Sequence, residues 1–282
     1  MKQYLDLMSQ VLEHGYWQNN RTGIRTKMLP GAMMQFDMDE GFPAVTTKKL
    51  AFGAVKGELI GFLRGYTSAA QFRELGCKIW DQNANENAAW LKNPARTRED
   101  DLGYIYSRLW TDMPHTLVTQ PWNQIDKLIE GIKNDPTSRR LIVSAWHPEV
   151  FDRAALPPCH VLFQVIIEQE TKKMHMTMYQ RSCDLFLGVP FNIASYSLLL
   201  HMLSAVTGYV PGTFTWFGAD VHLYENHLEQ VKEQLSREPK RAPCLIYSKH
   251  AVENKDIQAF EPDDFTLSDY DPYPALKAPM AV

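Results

Sequence analysis

The sequence predicts a mixed α and β fold in one domain, and three observations support this prediction. A chain of 282 residues with 45% hydrophobic content can bury a substantial core in one unit. Apolar residues recur at helical spacing in some segments and alternate in others, so we expect both helices and strands. Residues 1–282 contain no repeat, low-complexity tract or linker that would divide them.

Helices are predicted from apolar spacing and from the residues that end them. Apolar positions from Leu5 to Leu12 predict a packing helix that stops at Gly15. A second apolar helix is expected around 58–62, and an amphipathic one over 125–132 that is closed by Asn134-Asp135-Pro136.

The most apolar helix candidate covers 193–206, launched by Pro190 and ended by Gly208, and we expect it to be the central core helix. It is too short and too polar to be predicted as a membrane span. Asp220 is expected to cap a last amphipathic helix, after which a proline-rich tail runs to Val282.

Strands are predicted where β-prone residues alternate or cluster. A β-prone stretch covers 33–38, and 141–143 and 161–167 resemble buried strands. Met174, Met176 and Met178 alternate as in a strand with one buried face. Residues from about 82 to 100 are rich in Asn and charge, and we expect a polar insertion there with little core of its own.

Composition limits the function classes. The net charge of -4 gives no global attraction to nucleic acid, so we expect no DNA binding and look for local arginine clusters that hold anions. No run of about eighteen apolar residues and no signal peptide are found, so a cytoplasmic location is expected. The scattered cysteines indicate neither a zinc site nor a disulfide framework, and no metal is expected: Cys77, Cys159, Cys183, Cys244.

Cys159 follows Pro157-Pro158 and precedes an apolar strand. The prolines stiffen the approach and fix the direction of the thiol, which suits a nucleophile activated by nearby arginines. A buried structural cysteine at a strand start is the alternative that this local pattern leaves open.

The segment from Tyr179 to Asp184 places an amide, a guanidinium, a hydroxyl and a carboxylate close together. Arg181 and Ser182 suit a phosphate group, and Asp184 with Asn192 suits the edge of a heterocycle. A solvated turn between a strand and a helix remains the alternative.

Further polar residues could contribute to a site. Arg139-Arg140 is phosphate-competent, although neighbouring strand residues point to opposite faces and surface charge is an alternative. His222 and Tyr224 could hold a sugar hydroxyl or belong to the core. Glu58 lies in an apolar helix, where burial would raise its pKa and make it a proton relay, whereas exposure would leave it without a role. The chain has no Gly-rich phosphate loop.

These residues stand in the order and wording of the thymidylate synthase family, which the chain resembles from its first helix to its last residue. The motifs that carry the resemblance are Asn20-Arg21-Thr22-Gly23, Phe42-Pro43-Ala44-Val45-Thr46-Thr47-Lys48, Glu58 with Phe62-Leu63-Arg64-Gly65, Ile79-Trp80-Asp81, Ser138-Arg139-Arg140, Pro158-Cys159-His160, Tyr179-Gln180-Arg181-Ser182-Cys183-Asp184, Pro190-Phe191-Asn192-Ile193-Ala194-Ser195-Tyr196 and His222-Leu223-Tyr224.

The resemblance implies reductive methylation of dUMP to dTMP, with 5,10-methylenetetrahydrofolate as co-substrate and dihydrofolate as by-product. Cys159 would attack carbon 6 of uracil, and Glu58 would act through water, supported by His160, Tyr106 and Asn192. Asn192 would select uracil over cytosine.

The resemblance also implies a homodimer whose subunits stack their sheets. The phosphate would be held by Arg21, Arg181 and Ser182, with Arg139 and Arg140 donated across the interface. The remaining implied nucleotide contacts are Gln180, Asp184, His222 and Tyr224. The implied folate contacts are Ile79, Trp80, Asp184, Gly188, Lys48 and Val282, the last in a terminus that closes over the folate.

Three places depart from the family pattern: Ile24-Arg25, Asn83, and Ser107-Arg108-Leu109-Trp110-Thr111. They leave two alternatives. A dUMP 5-hydroxymethylase of the same family would let water reach the methylene. A catalytically silent nucleotide- or RNA-binding relative is disfavoured because Cys159, Glu58 and Asn192 are all present.

Overall fold

The computed structural model describes residues 1–114 and 122–280. The α-helices in these ranges are α1 (Lys2–His14), α2 (Phe52–Leu63), α3 (Ala69–Glu74), α4 (Asp81–Asn85), α5 (Ala88–Leu91), α6 (Tyr106–Thr111), α7 (Gln124–Asn134), α8 (Gly188–Thr207), α9 (Leu228–Leu235) and α10 (Lys249–Glu253). The strands are β1 (Tyr16–Gln18), β2 (Thr26–Asp37), β3 (Ile142–Ser144), β4 (His160–Glu168), β5 (Lys173–Asp184), β6 (Val210–Tyr224), β7 (Cys244–Tyr247) and β8 (Phe265–Ser268).

One mixed sheet organises the molecule, with six strands in the order β1-β2-β6-β5-β4-β3. Its pairs are antiparallel except β5 with β6, which are parallel and are joined through α8. This crossover returns β6 beside β5, so that Ser182 pairs with Asp220 and Asp184 with His222. The polar carboxyl ends of β5 and β6, which are distant in the sequence, therefore lie side by side in the middle of the sheet.

The core lies between one sheet face and the helices. Met174, Met176 and Met178 are fully buried, as their alternation predicted. α8 packs on this face against β5 and β6, α2 packs on α8, and α8 is buried nearly all round. Together they confirm the predicted α+β domain with a mainly buried sheet.

α8 is longer than the sequence suggested. It begins at Gly188, with Pro190 inside its first turn, where a missing N–H costs little. It ends at Gly208, whose φ of +81° is a left-handed conformation that glycine adopts readily. Among the described residues α8 alone is long and apolar enough to cross a membrane, so the expectation that it is too short and too polar for this was wrong. However, 78% of its most apolar window is buried inside the protein, as expected for the predicted core helix.

The opposite face of the sheet is apolar yet open. Five side chains from five neighbouring strands project from it and are each between 39% and 55% exposed: Met33, Ile142, Ile166, Tyr179 and Phe217. The strand registers place them on one side, for example Met33 opposite Phe217 and Phe217 opposite Tyr179. Such a continuous apolar surface is typical of a contact face.

Several local predictions were wrong. Asp220 lies within β6 rather than capping a helix. The segment 179–184, for which a solvated turn was the alternative left open, is the end of β5. The tail contains β7, α10 and β8 rather than irregular chain alone. The polar stretch expected over 82–100 forms α4 and α5 and is anchored by buried Trp90, whose Nε1 donates to the carbonyl of Asp101 at 2.6 Å. That residues 82–100 are an insertion stays a prediction.

Candidate active site

A cavity of about 420 Å³ opens at the carboxyl ends of β5 and β6. It brings together most of the residues that the sequence singled out for the nucleotide, and segments from the amino-terminal loop and from α5 complete its wall. The residues lining it include Asn20, Arg21, Asn87, Trp90, Asn93, Pro157, Cys159, Arg181, Ser182, Asp220, His222 and Tyr224.

The backbone around Cys159 is held on both sides. Its N–H donates to the hydroxyl of Tyr106 at 2.6 Å, and its carbonyl accepts from the N–H of Arg181 at 2.8 Å. The Arg181 guanidinium donates from Nε to the carbonyl of Pro158 at 2.8 Å and from Nη2 to that of Pro157 at 3.2 Å. The two predicted residues are thereby locked against each other at the start of β4.

Opposing effects act on the pKa of the Cys159 thiol. Burial raises its pKa, while the positive charges of Arg181 and Arg21 lower it, and the net direction is upward. A thiolate here needs further positive charge, such as that of another arginine or of a bound cationic group.

Glu58 is buried within α2 and accepts a hydrogen bond from Nε1 of Trp80 at 3.0 Å. Burial raises its pKa to about 8, although the bond from Trp80 opposes the rise. At neutral pH the carboxyl group is therefore mostly protonated and ready to give up a proton.

His160 is buried and stacks on Tyr106, with ring centroids 3.8 Å apart. Its Nδ1 lies 2.7 Å from the hydroxyl of Tyr196, and burial lowers its pKa to about 3. The imidazole is therefore neutral at physiological pH. It can orient groups or relay a proton, but it cannot supply a positive charge to Cys159.

Asn192 is oriented by a chain of buried hydrogen bonds. Nε1 of Trp216 donates to Oε1 of Gln180 at 2.9 Å, and because an indole only donates, the Gln180 amide has a fixed orientation. Nε2 of Gln180 then donates to Oδ1 of Asn192 and to the carbonyl of Ser182, each at 3.1 Å. Gln180 is itself 2% exposed, and neither Gln180 nor Asn192 is among the residues that form the cavity wall.

His222 and Tyr224 occupy the end of β6. Nδ1 of His222 lies 2.9 Å from Oδ1 of Asp220, so this nitrogen carries a proton and donates to the carboxylate. The Tyr224 ring meets the His222 ring edge to face, with centroids 5.2 Å apart. Both side chains line the cavity.

The residues expected at the folate lie beside the cavity rather than on its wall. Asp184 accepts from the N–H groups of Phe186 and Leu187, each at 3.0 Å, just ahead of Gly188. Ile79 is half-buried and Trp80 is buried.

Lys48, which the resemblance implies as a folate contact, is buried. Its Nζ donates to the carbonyl of Phe186 and lies 3.5 Å from the centroid of that ring. Burial lowers its pKa to about 7, and the charge of Asp184 opposes this. Its neighbour Lys49 is exposed. The predicted folate contact Val282 lies outside the described residues.

Arg139 and Arg140 do not join the other arginines within this chain. They lie exposed in a turn just before β3 and are not part of the cavity wall. Across the described residues no group of three or more His, Cys, Asp or Glu side chains is placed to hold a metal ion.

Sequence reasoning missed Trp216 and the residues of α5 that line the cavity. Trp216 showed no signal beyond a place in an alternating segment, because its partner Gln180 is 36 residues away along the chain. Asn87 and Trp90 lay in the stretch interpreted as an insertion.

The sequence model of the thymidylate synthase family matches residues 2–282. Among curated proteins, the chain is similar to proteins named thymidylate synthase from Pseudomonas syringae pv. tomato, Pseudomonas putida and Bordetella parapertussis. Each is 43% identical over 323 aligned positions that cover all of this chain and all of the relative.

Proposed function

The chain belongs to the thymidylate synthase family, and we propose from this premise that it is the methyltransferase that converts dUMP to dTMP. 5,10-Methylenetetrahydrofolate would supply both the carbon and the hydride and leave as dihydrofolate. The observation that carries the proposal is the cavity in which Cys159 meets Arg21 and Arg181 beside the sugar-binding pair His222 and Tyr224.

Cys159 is proposed as the nucleophile that adds to carbon 6 of the uracil. Its sulfur forms the new bond, and the electron pair of the C5–C6 double bond moves towards O4 to give an enolate. The hydrogen bonds that Cys159 donates to Tyr106 and accepts from Arg181 fix the backbone that carries the thiol, which preorganises the attack.

Asn192 is proposed to read the base. Because Gln180 donates to Oδ1, the amide nitrogen of Asn192 must be the other terminal atom, and it is free to donate to O4 of uracil. The second lone pair of Oδ1 can accept from N3–H. Cytosine offers an acceptor and a donor in the reverse order, so uracil is preferred.

Glu58, His160 and Tyr106 are proposed to manage protons around the base. The raised pKa of Glu58 lets it give a proton towards O4 as the enolate develops, through water, and take one back later. His160 stays neutral and holds the polar groups behind Cys159 in place.

The phosphate is proposed to bind Arg21, Arg181 and Ser182, and the partner subunit of a homodimer would add Arg139 and Arg140. Two observations support this assembly. The open apolar sheet face provides a surface for a second copy, and the exposed arginine pair lies in the turn that leads into β3, an edge strand of that sheet. Arginines from a partner would also supply the positive charge that the Cys159 thiol lacks in one chain.

The folate is proposed to lie against Ile79, Trp80, Asp184 and Gly188, beside the nucleotide. Lys48 is proposed to act there too, although its buried Nζ would have to leave Phe186 to reach a glutamate carboxylate. Val282 is proposed to help close the site. A reducing, cytoplasmic location fits the four free cysteines.

Trapping with 5-fluoro-dUMP tests the proposal. Fluorine at carbon 5 cannot leave as a cation, so the enzyme, nucleotide and folate should accumulate as one covalent complex. Mass spectrometry should show an increase equal to both ligands on a peptide that contains Cys159. Cys159→Ser is the control and should show no increase. Absence of the adduct in the unmodified protein would refute the proposed chemistry.

The product identifies which family reaction follows. Hydride transfer to the exocyclic methylene gives dTMP and dihydrofolate, whereas addition of water gives 5-hydroxymethyl-dUMP and tetrahydrofolate. Dihydrofolate formed in step with dTMP is expected. Tetrahydrofolate as the main product would favour the hydroxymethylase, which the comparisons do not favour.

A further inference from the structure

The chain beyond β8 is fastened to the molecule by side chains rather than by regular secondary structure. We call residues 270–280 the strap. Tyr270 and Tyr273 anchor its start: the hydroxyl of Tyr270 donates to the carbonyl of Val45 at 2.7 Å, and the N–H of Tyr273 donates to that of Thr46 at 2.8 Å. After Tyr273 the described strap makes no main-chain pairing, so its position depends on the side chains beside it.

Three side chains in and beside α9 hold the rest of the strap, and each donates to a strap carbonyl. Arg237 donates from Nη1 to Pro274 at 2.8 Å, Gln230 from Nε2 to Lys277 at 3.3 Å, and His227 from Nε2 to Pro279 at 2.7 Å. Gln230 lies in α9, His227 directly precedes the helix and Arg237 follows its end. Together with Gln234 of α9, which donates to Oγ1 of Thr47 at 2.9 Å, we call these residues the rail.

His227 has contacts in a second direction as well. It is fully buried, and its ring lies 5.4 Å from that of Tyr224 and 5.5 Å from that of Phe186, measured between centroids. Tyr224 lines the nucleotide cavity, and Phe186 lies between the end of β5 at Asp184 and the start of α8 at Gly188. The same imidazole thus contacts the end of β6, the connection that leads into the core helix, and the strap.

The hydrogen bonding of His227 fixes its tautomer. A carbonyl can only accept, so Nε2 must carry the proton that it shares with Pro279. Nδ1 is buried and has no partner among the described residues, which costs free energy that a purely apolar side chain would avoid. A phenyl or leucyl group would fill the same space without that cost. The imidazole is therefore explained by the bond to Pro279 rather than by packing.

We propose that His227 is a positioning residue that couples nucleotide binding to the placement of the strap, with the rail as its support. Nucleotide held by His222 and Tyr224 would immobilise Tyr224 and, through ring contact, His227, which then holds the strap at Pro279. The Phe186 ring that contacts His227 also contacts Lys48, a proposed folate residue. The inference rests on the proposed function, since the strap would keep water from the methylene during hydride transfer.

Two variants of His227 distinguish the effect of its hydrogen-bond donor from the effect of its side-chain volume. His227→Leu keeps the volume but removes the donor, whereas His227→Gln retains an N–H donor of similar reach. For His227→Leu we expect the KM for methylenetetrahydrofolate to rise about fivefold, as loss of one hydrogen bond implies. The share of tetrahydrofolate among the folate products should also rise, and tryptic cleavage after Lys277, which is exposed in the strap, should quicken. His227→Gln should restore all three values towards those of the unmodified enzyme.

A control variant and a second test variant show whether these changes come from contacts with the strap. Lys232→Ala, on an exposed face of α9, should change none of these values. If His227→Leu does not fold, Gln230→Met removes a neighbouring donor from a half-buried position and should give the same three changes more weakly.

The inference is overturned if the folding variant leaves the KM, the product ratio and the rate of cleavage after Lys277 unchanged, or if His227→Gln is as impaired as His227→Leu. An unmodified protein that forms no dTMP would instead count against the proposed function, while the cleavage rate would still test the rail.

Discussion

At the scale of single residues, chemistry in this protein is set by neighbours that are far away in the sequence. The sequence marked Cys159 as a thiol on a stiff loop but could not separate a nucleophile from a structural cysteine. The difference lies in Tyr106 and Arg181, which hold the loop from 53 and 22 residues away. Contacts between residues so far apart leave no pattern in the local sequence. The role of Cys159 as a nucleophile was therefore predicted only from the family motifs along the whole chain.

Asn192 illustrates the same limit. Its residue type suggested base recognition, yet an amide can present either end to a ligand. The structure fixes the orientation through Gln180 and Trp216, and Trp216 could not be identified from the sequence because nothing local pairs it with Gln180.

This orientation leads to a prediction for Asn192→Asp. A carboxylate has no N–H for O4 of uracil but can accept from the exocyclic amine of cytosine, while Gln180 still donates to one carboxylate oxygen. We expect the ratio of kcat/KM for dCMP to that for dUMP to rise at least about tenfold. Steady-state kinetics with both nucleotides measure it. Asn134→Asp, exposed at the end of α7, should leave the ratio unchanged. An unchanged ratio in Asn192→Asp would remove the base-reading role.

At the scale of elements, segments with local periodicity were predicted well. α1, α7 and α8 carry their own apolar spacing and end signals, and β5 carries its methionine alternation. β6 was missed because it contains Pro211, Gly212 and Gly218, and its stability comes from pairing with β2 and β5 on both sides. The polar end of β5 looked like a turn because those side chains face a cavity that only the crossover creates.

α2 shows how close packing of an element supports the site. A Cβ on Gly57 would lie 2.3 Å from the carbonyl oxygen of Leu75, which is main chain and cannot rotate away. Gly57 directly precedes Glu58, so this contact sets the depth at which the carboxyl group is buried.

We therefore expect Gly57→Ala to destabilise the fold by about 1–3 kcal/mol, since α2 or the chain at Leu75 must move. The melting temperature should fall by several degrees, and thermal unfolding followed by circular dichroism measures it. Gly53→Ala in the same helix is the matched control: nothing lies within 4 Å of its added Cβ. It should be neutral or slightly stabilising, because alanine favours helix more than glycine does. Equal melting temperatures for both variants would show that the contact at Leu75 yields easily.

At the scale of the whole molecule, one chain does not complete the proposed site. Burial keeps the pKa of Cys159 raised despite Arg21 and Arg181, while Arg139 and Arg140 stand exposed outside the cavity. An apolar sheet face is also left uncovered. A homodimer that stacks these faces would account for all three features, provided that each arginine pair enters the partner's cavity.

Subunit mixing tests this arrangement. Cys159→Ser lacks the nucleophile, and the double variant Arg139→Ala with Arg140→Ala lacks the donated arginines, so each homodimer should be nearly inactive. In a hybrid dimer, the cavity with an intact Cys159 receives intact arginines from the other chain. Equal mixing should yield hybrids for about half of the dimers, each with one complete site, so about one quarter of full activity should return.

The matched control mixes Cys159→Ser with Arg181→Ala. Both defects then lie on the wall of a chain's own cavity, so each cavity in the hybrid is still missing either the thiol or a guanidinium, and no recovery is expected. Activity should be measured before and after subunit exchange, with hybrid formation confirmed by native mass spectrometry. If hybrids form and activity stays at the sum of the separate variants, Arg139 and Arg140 do not act across the interface, and the charge that activates Cys159 must come from its own chain or from the ligands.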